Sequence, residues 1–567
     1  MATKIDPVTL SILANNLFWI AEEMNVYLTK SAFSTNIKVR RDCSCALYDA
    51  KGNMVAQGEF VPVHLGVMSQ SLKAVLEVYP PETMNDGDVI IHNDPYSMGS
   101  HLWDIMLFKP IFHAGKLIAF AGSLAHHVDI GGSSTSRVLP TVFEEGLRLP
   151  PVKLYEKGTL QENLMRVIEA NVRTPYELRG DLAAQTAANY RGEVRILELA
   201  DKYGADALAD YFEAILSYSE KGMRNAIEKL PETAVEFEDF IEHDGINPVM
   251  TKIKVRIEVK NGELYFDFDG SGPAGAGGVN SPWSLTHSAV YYAVKSVLAC
   301  DIPTNFGAYR PIHILRPKYE CIVDAYFPHA VGGCTSNPAQ RIVDVVIGAF
   351  SKLVPEQVCA CDGHWPSGRF VGRDPRTNRF SPYVETYACG RGAKYNQDGA
   401  DAHQTHMTNT ANAPIEIIEL EHPLRVDKYE MVVDSGGAGE FRGGVGISRQ
   451  LTALTDMSAN AFPVRPNTRP YGLMGGGPGS SDMCGITLSD GSFVTSSRDV
   501  KAGNKIIIRS SGGGGWGDPL KRSPQKVLQD VLDGYVSVGA AKSLYKVAIN
   551  LEHGVVDQEA TDKLRAK

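Results

Sequence analysis

The sequence predicts an α+β protein of several lobes: mixed β-rich regions, an inserted helical segment and a small helical C-terminal tail. Three observations carry this expectation. At 567 residues the chain exceeds the size at which a single hydrophobic core keeps growing. Period-two alternation around turn residues recurs along it, as in "CALYDAKGNMVAQG" and "KIKVRIEVKNGELYFDFDGSG". Between these, residues 160 to 230 switch to long helical periods rich in Ala, Leu, Glu and Arg. The shifts divide the chain into an N-terminal α+β region (1–158), a helical segment (159–232), a central α+β region (233–380), a glycine-rich β region (381–518) and a helical tail (519–567).

Each element has a local cause. Residues 6 to 32 read as a helix because Asp6 can cap it and Pro7 suits its first turn, with Leu10, Ile12, Leu13, Leu17, Ile20 and Met24 expected on its apolar stripe. Lys51-Gly52-Asn53 turns a first hairpin, and "LGVMSQSLKAVLEVY" returns to helical period. "DVIIHND" is a short apolar strand. It leads into "HNDPYSMGSHLWDI" and a second hairpin turned by His113-Ala114-Gly115-Lys116, so that Asp104 begins one strand and His126 ends its antiparallel neighbour. "SAVYYAVKSVLA" reads as a buried helix, and from residue 380 onward glycine clusters punctuate short strands.

Composition excludes several functions. Lys plus Arg number 56 and Asp plus Glu 66, a net charge of −10, with neither sign concentrated in runs, which argues against nucleic acid or an anionic membrane surface as partner and for a small-molecule substrate. No run approaches the roughly 18 apolar residues that span a bilayer, and the N-terminus, broken by Asp6, Glu22 and Glu23, does not read as a signal peptide. The nine cysteines, Cys43, Cys45, Cys300, Cys321, Cys334, Cys359, Cys361, Cys389 and Cys484, are odd in number and contain no CxxC, so buried thiols in a reducing cytoplasm are expected. The glycine clusters are expected in turns and close packing. "GSGPAGAGGVN" lacks the Lys-Ser/Thr that ends a phosphate loop, so no ATP site is expected on this chain.

The chemistry-bearing constellation is a set of histidines and aspartates. His101 and Asp104 share a side only if Pro95 and Gly99 put them in a turn. The second hairpin brings His126 or His127 to the same end, and Asp42 stands at the start of the first hairpin. Two imidazoles and two carboxylates suit zinc, manganese or iron(II); the alternative is that the histidines hydrogen-bond buried backbone. His127 and Asp129 are candidates to orient a ligand histidine, while Asn93 and Asp94 are expected to shape a turn. "FPHAVGGCTSNPAQRIVD" admits two readings: Thr335, Ser336 and Asn337 as a substrate pocket before a helix carrying Arg341 and Asp344, or as caps of that helix. No G-x-S-x-G surrounds Ser336, which disfavours it as a nucleophile.

"RRDCSCALYDAKGNMVAQGEFVPVHLG", "HNDPYSMGSHLWDI", "AHHVDIGG", "NVRTPYELRGDLAAQ", "YEMVVDSGGAGEFRGGVG" and "SGGGGWGDPLKRSPQKVLQDVLDGYVS" together resemble the hydantoinase B / 5-oxoprolinase family over residues 5 to 550. The resemblance implies a metal held by Asp42, His101, Asp104 and His126, favouring His126 over His127, with zinc first and manganese or iron as alternatives. Catalysis would run through that metal, with His127 beside it, and His92 would be a supporting position. The resemblance also implies a hydantoinase A-type partner with an actin-like fold that binds ATP and supplies an activated phosphate, and an assembly with two copies of each subunit. The implied activity is ATP-dependent opening of a cyclic amide such as a hydantoin, 5-oxoproline or a lactam. Its alternatives are a subunit of an acetone- or acetophenone-type carboxylase, which uses bicarbonate, or a non-catalytic scaffold with a structural metal.

Overall fold

A computed structural model describes residues 5–58, 60–133, 138–298, 301–461, 463–495 and 499–566. It has α+β architecture, as expected, and sorts into two compact units: Met1–Asp239 with Asp244–Val346 and Met407–Ala413, and Phe240–His243 with Ile347–His406 and Pro414–Lys567. Cys300 lies outside the described residues; the eight described cysteines are free and buried. Among the described residues no helix is long and apolar enough to cross a membrane.

The first unit is built on seven strands, β1 (Cys43–Asp49), β2 (Met54–Gln57), β3 (Val89–His92), β4 (Asp104–His113), β5 (Lys116–His126), β6 (Val152–Glu156) and β7 (Thr159–Leu160), in the order β2-β1-β5-β4-β3-β6-β7. Every neighbouring pair is antiparallel. Both predicted hairpins form: β1 turns to β2, and β4 to β5. The central strands are buried on both faces, so layers cover each side.

The helices that precede and follow these strands supply the layers: α1 (Pro7–Ser31), α2 (Thr35–Lys38), α3 (His64–Val78), α4 (Val142–Glu145), α5 (Glu162–Ala170), α6 (Pro175–Tyr203), α7 (Ala205–Ile227) and α8 (Trp283–Leu298). Asp6 caps α1 by accepting the Thr9 N–H at 2.8 Å. Leu13, Leu17, Ile20 and Met24 are buried with Ala184, Ala188 and Ile196 of α6 against Cys43, Cys45 and Ala121 of the sheet. Ile12, expected on this stripe, is instead exposed; a residue next to Leu13 is turned by about 100° from it on a helix. Ser288 of α8 stitches α3 in place: its hydroxyl accepts the Gly66 and Val67 N–H groups at 2.8 and 2.9 Å and donates to the Val63 carbonyl.

A smaller sheet, order β11-β10-β9-β8, joins β8 (Ala234–Ile241), β9 (Thr251–Lys260), β10 (Glu263–Asp267) and β11 (Ile312–Leu315), and is accompanied along the chain by α9 (Phe306–Tyr309, before β11) and α10 (Pro338–Phe350). The period-two pattern of "KIKVRIEVK" is realised in β9, whose residues alternate buried and half-buried.

The second unit holds two further sheets and the short helix α11 (Ile415–Glu421). Strands β12 (Ser367–Arg373), β13 (Phe380–Thr386), β16 (Met457–Ala461) and β19 (Asp499–Val500) form one; β14 (Leu424–Met431), β15 (Ile447–Ala453), β17 (Met483–Thr487), β18 (Phe493–Val494) and β20 (Lys505–Arg509) form the other. The glycine clusters lie backbone against backbone: Gly437 donates to the Gly513 carbonyl at 2.8 Å and Gly513 to that of Gly444 at 2.9 Å. A Cβ at Gly513 would sit 2.2 Å from the Arg391 carbonyl oxygen, which explains the composition. The tail is helical in α12 (Pro524–Leu532), α13 (Val538–Leu544) and α14 (Gln558–Arg565). It also contains a short hairpin, β21 (Ile549–Asn550) with β22 (Val555–Val556), that its composition did not announce.

Candidate metal centre

The site grows from one end of the β4–β5 hairpin. Asp104 opens β4, His126 closes β5, and the two are direct partners in the register. The chain enters through a tight loop in which Gly99 donates to the Asp94 carbonyl at 2.9 Å; a Cβ on Gly99 would lie 2.6 Å from that oxygen. A turn follows, closed by the Asp104 N–H on the His101 carbonyl at 3.1 Å, and it is this turn that brings residues 101 and 104 to one side. Asn93 and Asp94 shape the loop as expected. Asn93 donates to the Leu102 and Leu147 carbonyls and accepts the Leu149 N–H, and Asp94 accepts the Tyr96 N–H at 3.1 Å.

His101, Asp104 and His126 each offer a ligand atom, all within 4.8 Å of one another. His126 Nδ1 lies 3.2 Å from Asp104 Oδ1, and His101 Nδ1 lies 3.7 Å from Asp104 Oδ2. His101 Nδ1 is buried and has no hydrogen-bond partner. An orphaned buried nitrogen facing a carboxylate across a gap too wide for a hydrogen bond is what a divalent cation between them would satisfy, so the donor set fits a metal.

The electrostatics suit the same use. Burial pushes His101 down to about 4, against the upward pull of Asp104, so its ring is neutral at neutral pH. Burial would raise Asp104, but the histidines around it, His101 first, outweigh that and hold its carboxyl below the usual range. Both side chains are thus in their metal-binding forms without giving up a proton.

The other expected residues are placed differently. Asp42 is half-buried. Its carbonyl accepts the His126 N–H at 3.0 Å, and its carboxylate acts on His101 and His64 through space but lies outside the cluster of three. His127 turns to α6, its Nε2 2.9 Å from Gln185 Oε1. Asp129 carries Arg173, accepting its backbone N–H and its guanidinium. His92 is buried and stacks on Phe108 at 5.9 Å. Arg341 is committed to Asp239 at 2.8 Å, and the Ser336 hydroxyl donates to the Gly333 carbonyl.

One participant escaped the sequence reading. His64, the first residue of α3, puts Nε2 4.0 Å from Asp104 Oδ2, while its Nδ1 pairs with the Ser44 hydroxyl at 2.8 Å. Its signal was the histidine in "VPVHLG", which lies far along the chain from His101. Ser100 adds a short hydrogen bond to Asp104 Oδ2. A largely apolar cavity of about 200 Å³ adjoins this side, lined by Phe60, Val61, Pro62, Leu65 and Tyr292; Val61 donates its N–H to the same Ser44 hydroxyl.

The chain is similar to known proteins along nearly its whole length. A family profile described as hydantoinase B/oxoprolinase matches residues 6–519. The B component of a putative D-/L-hydantoinase from Pseudomonas sp. (strain NS671) is 32% identical, over 99% of this chain and 98% of its own. The 5-oxoprolinase of Dictyostelium discoideum is 31% identical over 91% of this chain, which spans 41% of that protein. Among solved structures, the ATP-dependent caprolactamase from Pseudomonas jessenii superimposes with a TM-score of 0.91 at 29% identity, covering 100% of both chains. An acetone carboxylase in a nucleotide-free state shares the fold at a TM-score of 0.88 and 21% identity, covering 99% of this chain and 82% of its own.

Proposed function

The chain belongs to the hydantoinase B/oxoprolinase family, and from that premise we propose that it is the metal-binding subunit of an ATP-dependent cyclic amidohydrolase that opens a lactam or hydantoin ring. His101, Asp104 and His126 would hold a divalent cation, zinc first and manganese or iron(II) next, with Asp42 as a fourth ligand. The observation that carries the reading is the buried, unpartnered His101 Nδ1 set against Asp104 and His126 at one hairpin end. When bound, such a cation polarises a carbonyl or lowers the pKa of a water.

The chain's own groups prepare the site. Ser100 and His126 fix the orientation of the Asp104 carboxylate, and His64 faces it from α3. Ring opening breaks the C–N bond: the oxygen of water ends on the new carboxylate, one of its protons on the released nitrogen, and the second on that nitrogen when it is an amine, as from a lactam, or in solvent when it is a ureido nitrogen, as from a hydantoin. An unstrained amide resists this, and the coupling to ATP belongs to a hydantoinase A-type partner, in an assembly of two copies of each subunit in the cytoplasm. Two relatives are named as single subunits of larger enzymes, one of a hydantoinase and one of a caprolactamase, which supports a partner chain. The shared fold with an acetone carboxylase keeps a second reading in view, in which bicarbonate and a ketone are joined.

The test is co-expression with the hydantoinase A-type partner. Metal content and ATP consumption are then measured against lactams, hydantoins, 5-oxoproline and ketones, with and without bicarbonate. Turnover of a cyclic amide without bicarbonate, and loss of both metal and turnover in H101A, are expected. Turnover confined to ketones with bicarbonate would replace the first reading by the second, and an H101A protein that keeps its metal and its rate would remove the site.

A further inference from the structure

In the first unit there is a buried carboxyl group that the metal site does not use. Glu145 ends α4 and is fully buried. Its Oε1 accepts two backbone N–H groups, from Val331 at 3.0 Å and Gly332 at 2.5 Å. Its Oε2 is buried with no hydrogen-bond partner. Among the described residues no cation pairs with it: Arg148 goes to Asp94 and to the face of Phe327. The ionisable groups that face it are Glu144 on its own helix, Tyr96 from the loop before His101, and Cys334. None of these carries a positive charge, so among the described residues an ionised Glu145 would be a buried anion without a counter-charge. Burial accordingly pushes its carboxyl up to about 8, against the downward pull of the two amides.

The clamped amides belong to a loop tied, through His329 and Tyr96, to the loop that leads into the candidate centre. Cys334 donates to the Val331 carbonyl at 2.9 Å and Gly333 to that of Gly278 at 2.8 Å. The buried Cys334 thiol lies near enough to both Asp104 and Glu145 for their charges to act on it. Tyr96 ties the same region to the loop before His101 by donating its hydroxyl to the His329 carbonyl.

We propose that Glu145 is a positioning residue for the candidate metal centre: buried and with no cation beside it among the described residues, it pins the Val331 and Gly332 amides through one oxygen and so steadies the segment against which Tyr96 and the loop leading to His101 are tied. The proposal rests on the reading above only in taking that cluster as the working site. A neutral carboxyl and a glutamine amide have the same shape and both present an oxygen to the two N–H groups, whereas alanine leaves both amides without an acceptor.

The experiment compares E145Q and E145A with the wild type, each co-expressed with the hydantoinase A-type partner. Four quantities are read: hydrogen exchange of the peptide spanning 329–337, metal retained against a chelating competitor, the thermal midpoint from pH 5 to 9, and kcat and KM where a cyclic amide is turned over. E145Q should match the wild type in exchange and metal retention. The wild-type midpoint should fall relative to E145Q as pH rises from the ordinary glutamate range to about 8, because the folded state keeps a proton that the unfolded chain has released. E145A should exchange faster at 329–337, retain metal about tenfold less well, and lose kcat more than KM. Failure of E145Q alongside E145A would overturn the proposal, as would wild-type exchange and retention in E145A. If E145A does not fold, the pH slope of E145Q decides: its disappearance upholds the uncharged clamp and its persistence overturns it. Exchange, retention and midpoint need no turnover, so they separate this proposal from the choice of substrate.

Discussion

Asp104 shows how a single residue acquires its role from its neighbours. It opens β4, and His101, His126, His64 and Ser100 all converge on its two oxygens. His92, nine residues before His101, shows the opposite case of a histidine with no chemistry to do. Both its ring nitrogens are buried without partners, its ring stacks on Phe108, and burial pushes it down to about 3. The folded state therefore refuses a proton that the unfolded chain takes up at its ordinary value of 6.5. Stability from this residue is complete above that value and is lost as pH falls toward 3, by a few kcal/mol on an order-of-magnitude scale. H92F keeps the stacking and removes the titration. Unfolding free energies from urea for the wild type and H92F should agree within about 1 kcal/mol at pH 7, with the wild type falling behind progressively at pH 5.5 and 4.5. A constant difference across pH would show that His92 is hydrated.

At the scale of elements, α6 ties together the two strands that carry the site. Gln185, buried on its sheet-facing side, donates to the Ile105 carbonyl of β4 at 2.9 Å and meets the His127 ring just beyond β5. Q185L would leave His127 and a backbone carbonyl unsatisfied in the interior, at a cost of about 1–3 kcal/mol. It should also weaken metal retention several-fold by loosening the ends of β4 and β5; unfolding by urea and metal competition check the two effects, and unchanged retention would confine Gln185 to a structural role. This tie also marks where the sequence stopped being legible. The β4–β5 turn, and with it the approach of Asp104 to the His126 end of the hairpin, could be read because a hairpin is a local object; the direct pairing of the two also depends on a register shift at Ile111/Phe112, which moves the partner of Asp104 by one residue from the one the turn alone would set. The approach of His64 to Asp104 and of Gln185 to His127 could not, because each joins residues brought together by packing of helices on the sheet, 40 and 58 positions apart. The carboxylate of Asp42, which the family resemblance placed among the ligands, stays outside the cluster of three; Asp42 stands just before β1, and its carbonyl, accepting the His126 N–H, holds its backbone beside His126.

At the scale of the whole molecule, the candidate centre and the glycine-rich packing lie in different parts of the chain. The candidate centre draws only on residues of the first unit, from Asp42 and His64 to His126. The glycine-rich sequence that makes up much of the second unit serves packing: Gly444, Gly513 and Gly515 each meet another backbone where a Cβ would stand about 2 Å from a carbonyl oxygen. A ligand that binds only the folded form stabilises it by RT ln(1 + [L]/Kd), and a metal held at one hairpin end applies that stabilisation where its ligands are anchored. Removing the metal should therefore raise hydrogen exchange in peptides covering residues 92–107 and 120–130, where His101, Asp104 and His126 are carried by the loop and the two strands. Peptides covering 436–446 and 510–516, whose amides bond to carbonyls and side chains of the second unit, should keep their protection. Restoring zinc, and then manganese, should return the first set to its original rates in proportion to the affinity of each ion. Loss of protection spread evenly over both sets would mean that the ion stabilises the chain as a whole and that the hairpin end is not its principal anchor.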